Sequence, residues 1–131
     1  MYGWIDEYMP DKVMIDAIGV GTPIYDTAKK RKREDYRWRS VKIRPFKSRP
    51  HDVTSPYIND KAEAYVKLRN LLRLGQVDWS NVDPNMRTQI EKQTNAIRYR
   101  MDAKGRWQIE DKRVMRSREG FSPDELEAVI Y

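Results

Sequence analysis

The chain has 131 residues, with 26 Lys+Arg against 20 Asp+Glu, a formal net charge of +6, no cysteine and one histidine. The lack of cysteine excludes disulfides, thiolate nucleophiles and Cys-ligated zinc or iron–sulfur centres, and it fits a reducing, intracellular compartment. The single histidine excludes a two-His metal motif, and no stretch approaches the roughly 18 consecutive apolar residues of a spanning helix.

The net charge conceals a partition. Residues 1–28 carry a net −4, residues 29–50 a net +9, and residues 51–131 a net +1. Nearly all the basic excess lies in one 22-residue segment, which reads as an electrostatic contact surface.

In chain order, residues 1–10 hold Asp6 and Glu7 and no base, so they do not have the character of a secretory signal or an Arg-rich transit peptide. Pro10 breaks the apolar N-terminal segment. Asp11 can cap a short helix over 12–18 that Gly19 stops. Gly19-Val20-Gly21-Thr22-Pro23 lacks the third glycine of a dinucleotide fingerprint and the Gly-Lys-Ser/Thr of a P-loop, and reads as a hinge. Thr22-Pro23 suits a helix start, with a helix running to about Arg37. Its cluster Lys29-Lys30-Arg31-Lys32-Arg33 also has the form of a nuclear-import signal. From Tyr36 the pattern becomes period two, and Pro45 and Pro50 exclude a central strand. Residues 38–56 therefore read as an extended arm or an edge strand.

Residues 57–74 carry a broad apolar stripe at helical spacing, with Asn59 or Asp60 as cap and Gly75 as stop. Asp83-Pro84 opens a second helix with Met86, Ile90, Ile97 and Met101 on one face. Over 97–110, two helices broken near Gly105 are the favoured reading, because the helical spacing continues through Met101. A short hairpin turning at Asp102–Gly105 is the alternative. Ser122-Pro123-Asp124-Glu125 is a capping box that opens a terminal helix. Asp124, Glu125 and Glu127 complement that helix's dipole. His51 lies beside Asp52 with no nucleophile marked nearby.

The resulting expectation is a mainly α fold: a small helical body of two to four helices over 57–131, and an N-terminal extension over 1–56 with its basic arm at 29–50. Lys29, Lys30, Arg31, Lys32, Arg33, Arg37, Trp38, Arg39, Lys42, Arg44, Lys47 and Arg49 are the candidate contacts to nucleic acid or another polyanion. Trp4, Tyr8, Tyr36, Phe46, Trp79 and Trp107 are candidate anchors on partner proteins. No catalytic constellation stands out, so no enzyme, cofactor or metal is expected. The function expected is a structural subunit of a large assembly of ribosomal or mitoribosomal type, with RNA under the arm and several protein neighbours. The alternatives are an accessory subunit of a respiratory complex, virion or cytoskeletal lattice, with the arm on an acidic protein or lipid surface, and a free nucleic-acid-binding regulator using Arg87, Arg98 and Arg100. The expected location is mitochondrial or cytoplasmic, with the nucleus as a further reading.

Overall fold

A computed structural model describes residues 2–19 and 21–131. Among them are six α-helices and four strands, so the mainly helical expectation is replaced by a mixed α/β fold. The chain divides into two compact units, 1–47 with Tyr131 and 48–130.

In the first unit, α1 (Gly3–Tyr8) precedes β1 (Lys12–Asp16), α2 (Gly21–Glu34), a 3-10 turn (Tyr36–Arg39) and β2 (Lys42–Phe46). The strands pair in parallel, Val13 against Ile43 and Asp16 against Phe46, so α2 is the crossover of a βαβ unit. The expected helix over 12–18 is thus a strand. Its apolar run fits either element, and long-range pairing decides. The basic segment is not an extended arm, because residues 29–34 finish α2 and 42–46 form β2. Pro45 is tolerated for a geometric reason. Lys42 N–H donates to Asp11 O at 2.8 Å and Phe46 O accepts from Ala17 N at 3.0 Å. The even positions of β2 therefore face β1, and Pro45 turns its missing donor to the unpaired edge.

Tyr2, Ile5, Val13, Ala28, Trp38 and Val41 form this unit's core. Trp38 is wholly buried, with Tyr2 edge-on at 5.7 Å. Truncating such a residue costs about 3–5 kcal/mol. The hinge predicted at Gly19–Pro23 includes Val20, which lies outside the described residues. Gly19 takes φ +59°. Gly21 opens α2 so close to β1 that an added Cβ would stand 1.6 Å from the Asp16 carbonyl oxygen.

The second unit is built on α3 (Asp60–Arg73) and α4 (Pro84–Ala96). Asn59 caps α3 by accepting from Ala62 N at 2.8 Å, and Asp83 caps α4 by accepting from Asn85 N and Met86 N. Residues 97–110 form the hairpin rather than the two helices favoured above. β3 (Tyr99–Met101) pairs antiparallel with β4 (Trp107–Ile109). Asp102 holds the turn, its carboxylate accepting from Lys104 N, Arg106 N and Arg106 Nε at 2.9 Å each, and Gly105 takes φ +74°. Two further helices follow, α5 (Lys112–Glu119) and α6 (Asp124–Ile130). Ala62, Tyr65, Ile90, Ile97, Ile109, Met115 and Leu126 make the core. Buried Gln93 fixes α6 to α4, its Oε1 accepting from Leu126 N at 2.9 Å and its Nε2 donating to Glu125.

Gly21→Ala should destabilise the protein by about 3 kcal/mol or more, because the clash is with backbone that cannot rotate away. Urea unfolding of the variant measures this, and a change within about 0.5 kcal/mol would contradict the close approach of α2 to β1.

Candidate functional site

The structure sorts the basic segment into cations with carboxylate partners and cations without. Asp6 Oδ2 accepts from Arg31 Nη2 at 2.6 Å, and Asp6 Oδ1 accepts from the Trp38 indole N–H at 2.6 Å. The Arg31 guanidinium also lies 4.9 Å from the Trp38 ring centre. Trp38, a candidate nucleic-acid contact on the sequence, is therefore a core residue with its polar atom occupied. Arg37 is clasped by Asp35 at 2.6 Å, with Asp6 at 3.7 Å. That hydrogen bond, ahead of the opposing burial, holds the Asp35 carboxyl below the usual carboxylate range. Lys30 reaches Glu34 at 3.9 Å, and Arg49 Nε bonds Asp60 at 3.2 Å. Lys29, Arg33, Lys42 and Arg44 form no ion pair among the described residues. Lys32 donates to the Val41 carbonyl oxygen. Arg39 and Lys47 are exposed. Of the aromatic anchors, Trp4, Tyr8 and Tyr36 are exposed. Phe46 stacks on Tyr131 with ring centres 3.9 Å apart. Trp79 packs against the second core. Trp107 stands edge-on to Tyr99 with Arg69 over both rings.

Two clusters in the second unit bring titratable groups together. In the first, His51 Nε2 lies 2.8 Å from Asp60 Oδ1 and 3.7 Å from Glu63 Oε2. One ligand atom from each of these three residues falls within 4.8 Å of the others, a spacing compatible with a metal ion. Every member already has a protein partner, however. Nδ1 of His51 meets Ser55 Oγ at 3.0 Å, Asp60 Oδ2 accepts from Arg49 N and Nε, and Glu63 holds Lys67 at 2.6 Å. The network ties the 49–60 loop to the start of α3, which is a structural role. The hydrogen bond from His51 is the largest influence on Asp60. Burial opposes it, the Arg49 contacts add to it, and the carboxyl is held below its ordinary value.

The second cluster is centred on Glu127, a carboxylate only 7 % exposed. Its Oε1 accepts from Lys61 Nζ at 2.6 Å and from Tyr65 Oη at 3.3 Å. Its Oε2 accepts from Lys112 Nζ at 3.2 Å, and the same ammonium donates to Asp124 Oδ1. Ser122 Oγ donates to Asp124 Oδ2 at 2.6 Å. Asp124 and Glu127, three apart on α6, thus converge on one positive charge. The Lys112 hydrogen bond, then that of Ser122, holds the Asp124 carboxyl below its usual range. Burial works against the charge on Lys112, but Asp124 and Glu127 outweigh it and its pKa is raised. Lys61 and Lys112 also line a cleft of about 350 Å³ with Asn59, Arg100, Gln108 and Asp111.

In the first unit, Asp16 ends β1 and is exposed, its Oδ1 accepting from Ile18 N at 3.1 Å. The carboxyl ends of parallel strands are where open α/β sheets bind ligands. Sequence reasoning passed over Asp16 because β1 was read as a helix. An acid closing a β-branched run just before a Gly-rich turn was the available signal. Asp124 and Glu127 read from the sequence as dipole complements in preference to metal ligands. Their lysine partners lie up to 66 residues away, and no local pattern marks them.

No protein-family model matches the sequence, and no curated protein matches it. Solved structures do match. The nuclease domain of the large terminase subunit gp2 of bacterial virus Sf6 is similar with a TM-score of 0.77 and 18 % identity over 98 % of this chain and 66 % of that one. A lysine-to-alanine variant of that domain with manganese gives 0.78 and 17 %, over 98 % and 67 %. The same kind of variant with calcium gives 0.78 and 17 %, over 98 % and 66 %. The chain thus spans about two thirds of the length of the solved domains it matches, and it shares their mixed α/β fold. This overturns the expectation of a non-catalytic subunit of ribosomal or mitochondrial type, together with its alternatives, because the fold is one built by nuclease domains, which are enzymes.

The Asp60 network predicts an acid-sensitive contribution to stability. A lowered folded pKa stabilises fully above the ordinary value of 3.8 and fades as pH falls through the folded value. Asp60→Asn should be less stable than the parent by about 1 kcal/mol at neutral pH, with the gap narrowing as pH falls below the ordinary value of 3.8. Urea unfolding at neutral pH and across that acid range checks this, and a gap independent of pH would refute it.

Proposed function

We propose that the chain is a divalent-cation-dependent nuclease module that hydrolyses phosphodiester bonds, with Asp124, Glu127 and Lys112 at its active site. The observation that carries the reading is the convergence of two carboxylates on a single ammonium, that of Lys112, which itself lines a polar cleft, in a fold shared with nuclease domains solved with manganese and calcium. Burying Glu127 with two lysines is a weak source of stability. Desolvation offsets much of the Coulomb attraction, and apolar residues of similar volume often serve as well. Lys112, whose pKa is raised by Asp124 and Glu127, lines the cleft, and a perturbed group in a cleft is more typical of a functional site.

The donor set fits a hard divalent cation. Such ions take carboxylate oxygens, and Asp124 Oδ1 and Glu127 Oε2 both bond the Lys112 ammonium, so a cation held by them would displace that ammonium toward the bound phosphate. A cation bound there would supply an activated water and neutralise charge developing on the phosphoryl oxygens. The remaining roles fall to the chain's own side chains. Glu127 is oriented by Lys61 and Tyr65 on its other oxygen, which makes Lys61 a positioning residue. Lys112, with its raised pKa, stays protonated at neutral pH and serves as a cation for a phosphate oxygen rather than as a base. Arg100 on the cleft wall suits a phosphate flanking the scissile bond.

Cleavage of plasmid DNA with Mn²⁺, abolished by EDTA, is the test. Glu127→Gln and Asp124→Asn should each lower the rate by about a hundredfold or more. Asp124 is exposed, so its replacement leaves the fold intact. Glu63→Gln should stay within a few fold of the parent. The absence of Mn²⁺-dependent cleavage, or cleavage lost with Glu63→Gln and retained with Glu127→Gln, would overturn the assignment.

A further inference from the structure

We propose that the groove between α2 and β2 is a separate binding site for the phosphate backbone of duplex nucleic acid, gripped by Lys29, Arg33, Lys42 and Arg44. The groove encloses about 390 Å³ and is lined by Lys29, Lys32, Arg33, Lys42, Ile43 and Arg44. Five of the six lining residues are cationic and none is acidic. The two secondary structures place them there by their own periods. Lys29, Lys32 and Arg33 stand at i, i+3 and i+4 on α2, which is one helical face. Lys42 and Arg44 stand at i and i+2 on β2, which is one strand face.

The pairing pattern sets these residues apart from the rest of the basic segment. Arg31, Arg37, Lys30 and Arg49 each meet a carboxylate. The groove cations form no ion pair among the described residues, although Glu34 and Asp35 lie next to Arg33 in sequence. Lys32 has its ammonium on the Val41 carbonyl, so it is partly structural. Like charges gathered in a groove repel one another and destabilise the unit that holds them. An anion spanning several of them would remove that repulsion.

The chemistry of the lining favours nucleic acid over an acidic protein. A protein interface needs an apolar or aromatic core, and this groove offers only Ile43. It favours duplex over single strand for a related reason. No aromatic ring lines the groove itself, and the neighbouring Tyr25 ring is taken up by the Lys29 ammonium 5.5 Å from its centre, so the groove offers unpaired bases no stacking platform. Long cationic stems without a fixed acceptor suit repeated phosphates, read without regard to sequence. The groove flanks the first residues of β2, whereas Asp16 stands at the opposite, carboxyl end of the strand pair.

This inference adds a grip to the proposed nuclease, and its test is run without metal so that each reading fails separately. Fluorescence anisotropy with a 20-base-pair duplex of arbitrary sequence, in EDTA and over a range of salt, measures binding by the full chain. The combined variant Lys29→Gln, Arg33→Gln, Lys42→Gln, Arg44→Gln should reduce the slope of log K against log[salt] by about 3 to 4. Its melting temperature should not fall, because repulsion has been relieved. The charge-matched variant Lys67→Gln, Arg87→Gln, Lys92→Gln, Lys104→Gln should keep the parental slope. If the fourfold groove variant does not fold, Arg33→Gln with Arg44→Gln decides, with a slope change of about 2. An unchanged slope in the groove variants, or an equal loss in the charge-matched control, overturns the proposal. So does displacement of the duplex by polyglutamate at equal charge concentration, which would assign the groove to an acidic protein.

Discussion

The first unit depends on the carboxylate of Asp6. One oxygen takes the indole N–H of a wholly buried tryptophan, and the other takes a guanidinium from the middle of the basic helix. Three elements that share no local pattern, α1, α2 and the 3-10 turn, are joined through this one side chain. Each partner makes the others affordable. The indole N–H would be an unsatisfied buried donor without Asp6, and Arg31 would be one more repelling cation. The charge partition along the chain, −4 followed by +9, is thereby partly resolved inside a single folded unit. The acidic N-terminus is an internal counterion for the segment that seemed to need a partner.

That internal compensation also explains which features could be read from the chain. Elements with a local start signal were legible. Asn59 before α3 and Asp83-Pro84 before α4 each announce a helix through caps that act within three or four residues, and Ser122-Pro123 announces α6 by a proline beside its first turn. Elements defined by distant pairing were not. Val13, Met14, Ile15, Ala17 and Ile18 satisfy a helical and an extended pattern alike, and β2, which decides between them, begins 26 residues after β1 ends. The hairpin at 99–109 suffered from a similar ambiguity, since Ile97 and Met101 continue the spacing of α4. There the Asp102–Gly105 turn, with its side-chain acceptor and positive φ, overrode the apparent helix. α5 rests on Asp111 and Gly120 as caps and buries only Met115, too little apolar periodicity to register.

The two titratable clusters of the second unit show why proximity alone does not mark a reactive site. His51, Asp60 and Glu63 are closer to the spacing of a ligand set, yet each is saturated by a neighbour within the same loop and helix. Their hydrogen bonds are what the 49–60 loop needs in order to return its backbone to α3. Glu127 differs because its partners come from two other elements. Lys61 and Tyr65 stand on α3 and Lys112 on α5, while Asp124, on the same helix as Glu127, shares the Lys112 ammonium. A fold that only needed stability had cheaper means of filling that space than a desolvated carboxylate with two ammoniums.

Cation pairing extends the same reasoning across the rest of the molecule. Where a positive side chain has a carboxylate within reach, as for Arg31, Arg37, Arg49, Arg106 and Arg118, it secures a turn, a cap or a core tryptophan. These arginines are spent on the fold, and arginine suits the task because its planar fork satisfies two acceptors at once. Where the helical and strand periods instead bring cations together with no acid among them, folding gains nothing from the arrangement and loses something to repulsion. Burial and partner choice, rather than the density of charge along the sequence, therefore separate the structural half of the basic segment from the half left open to an external anion.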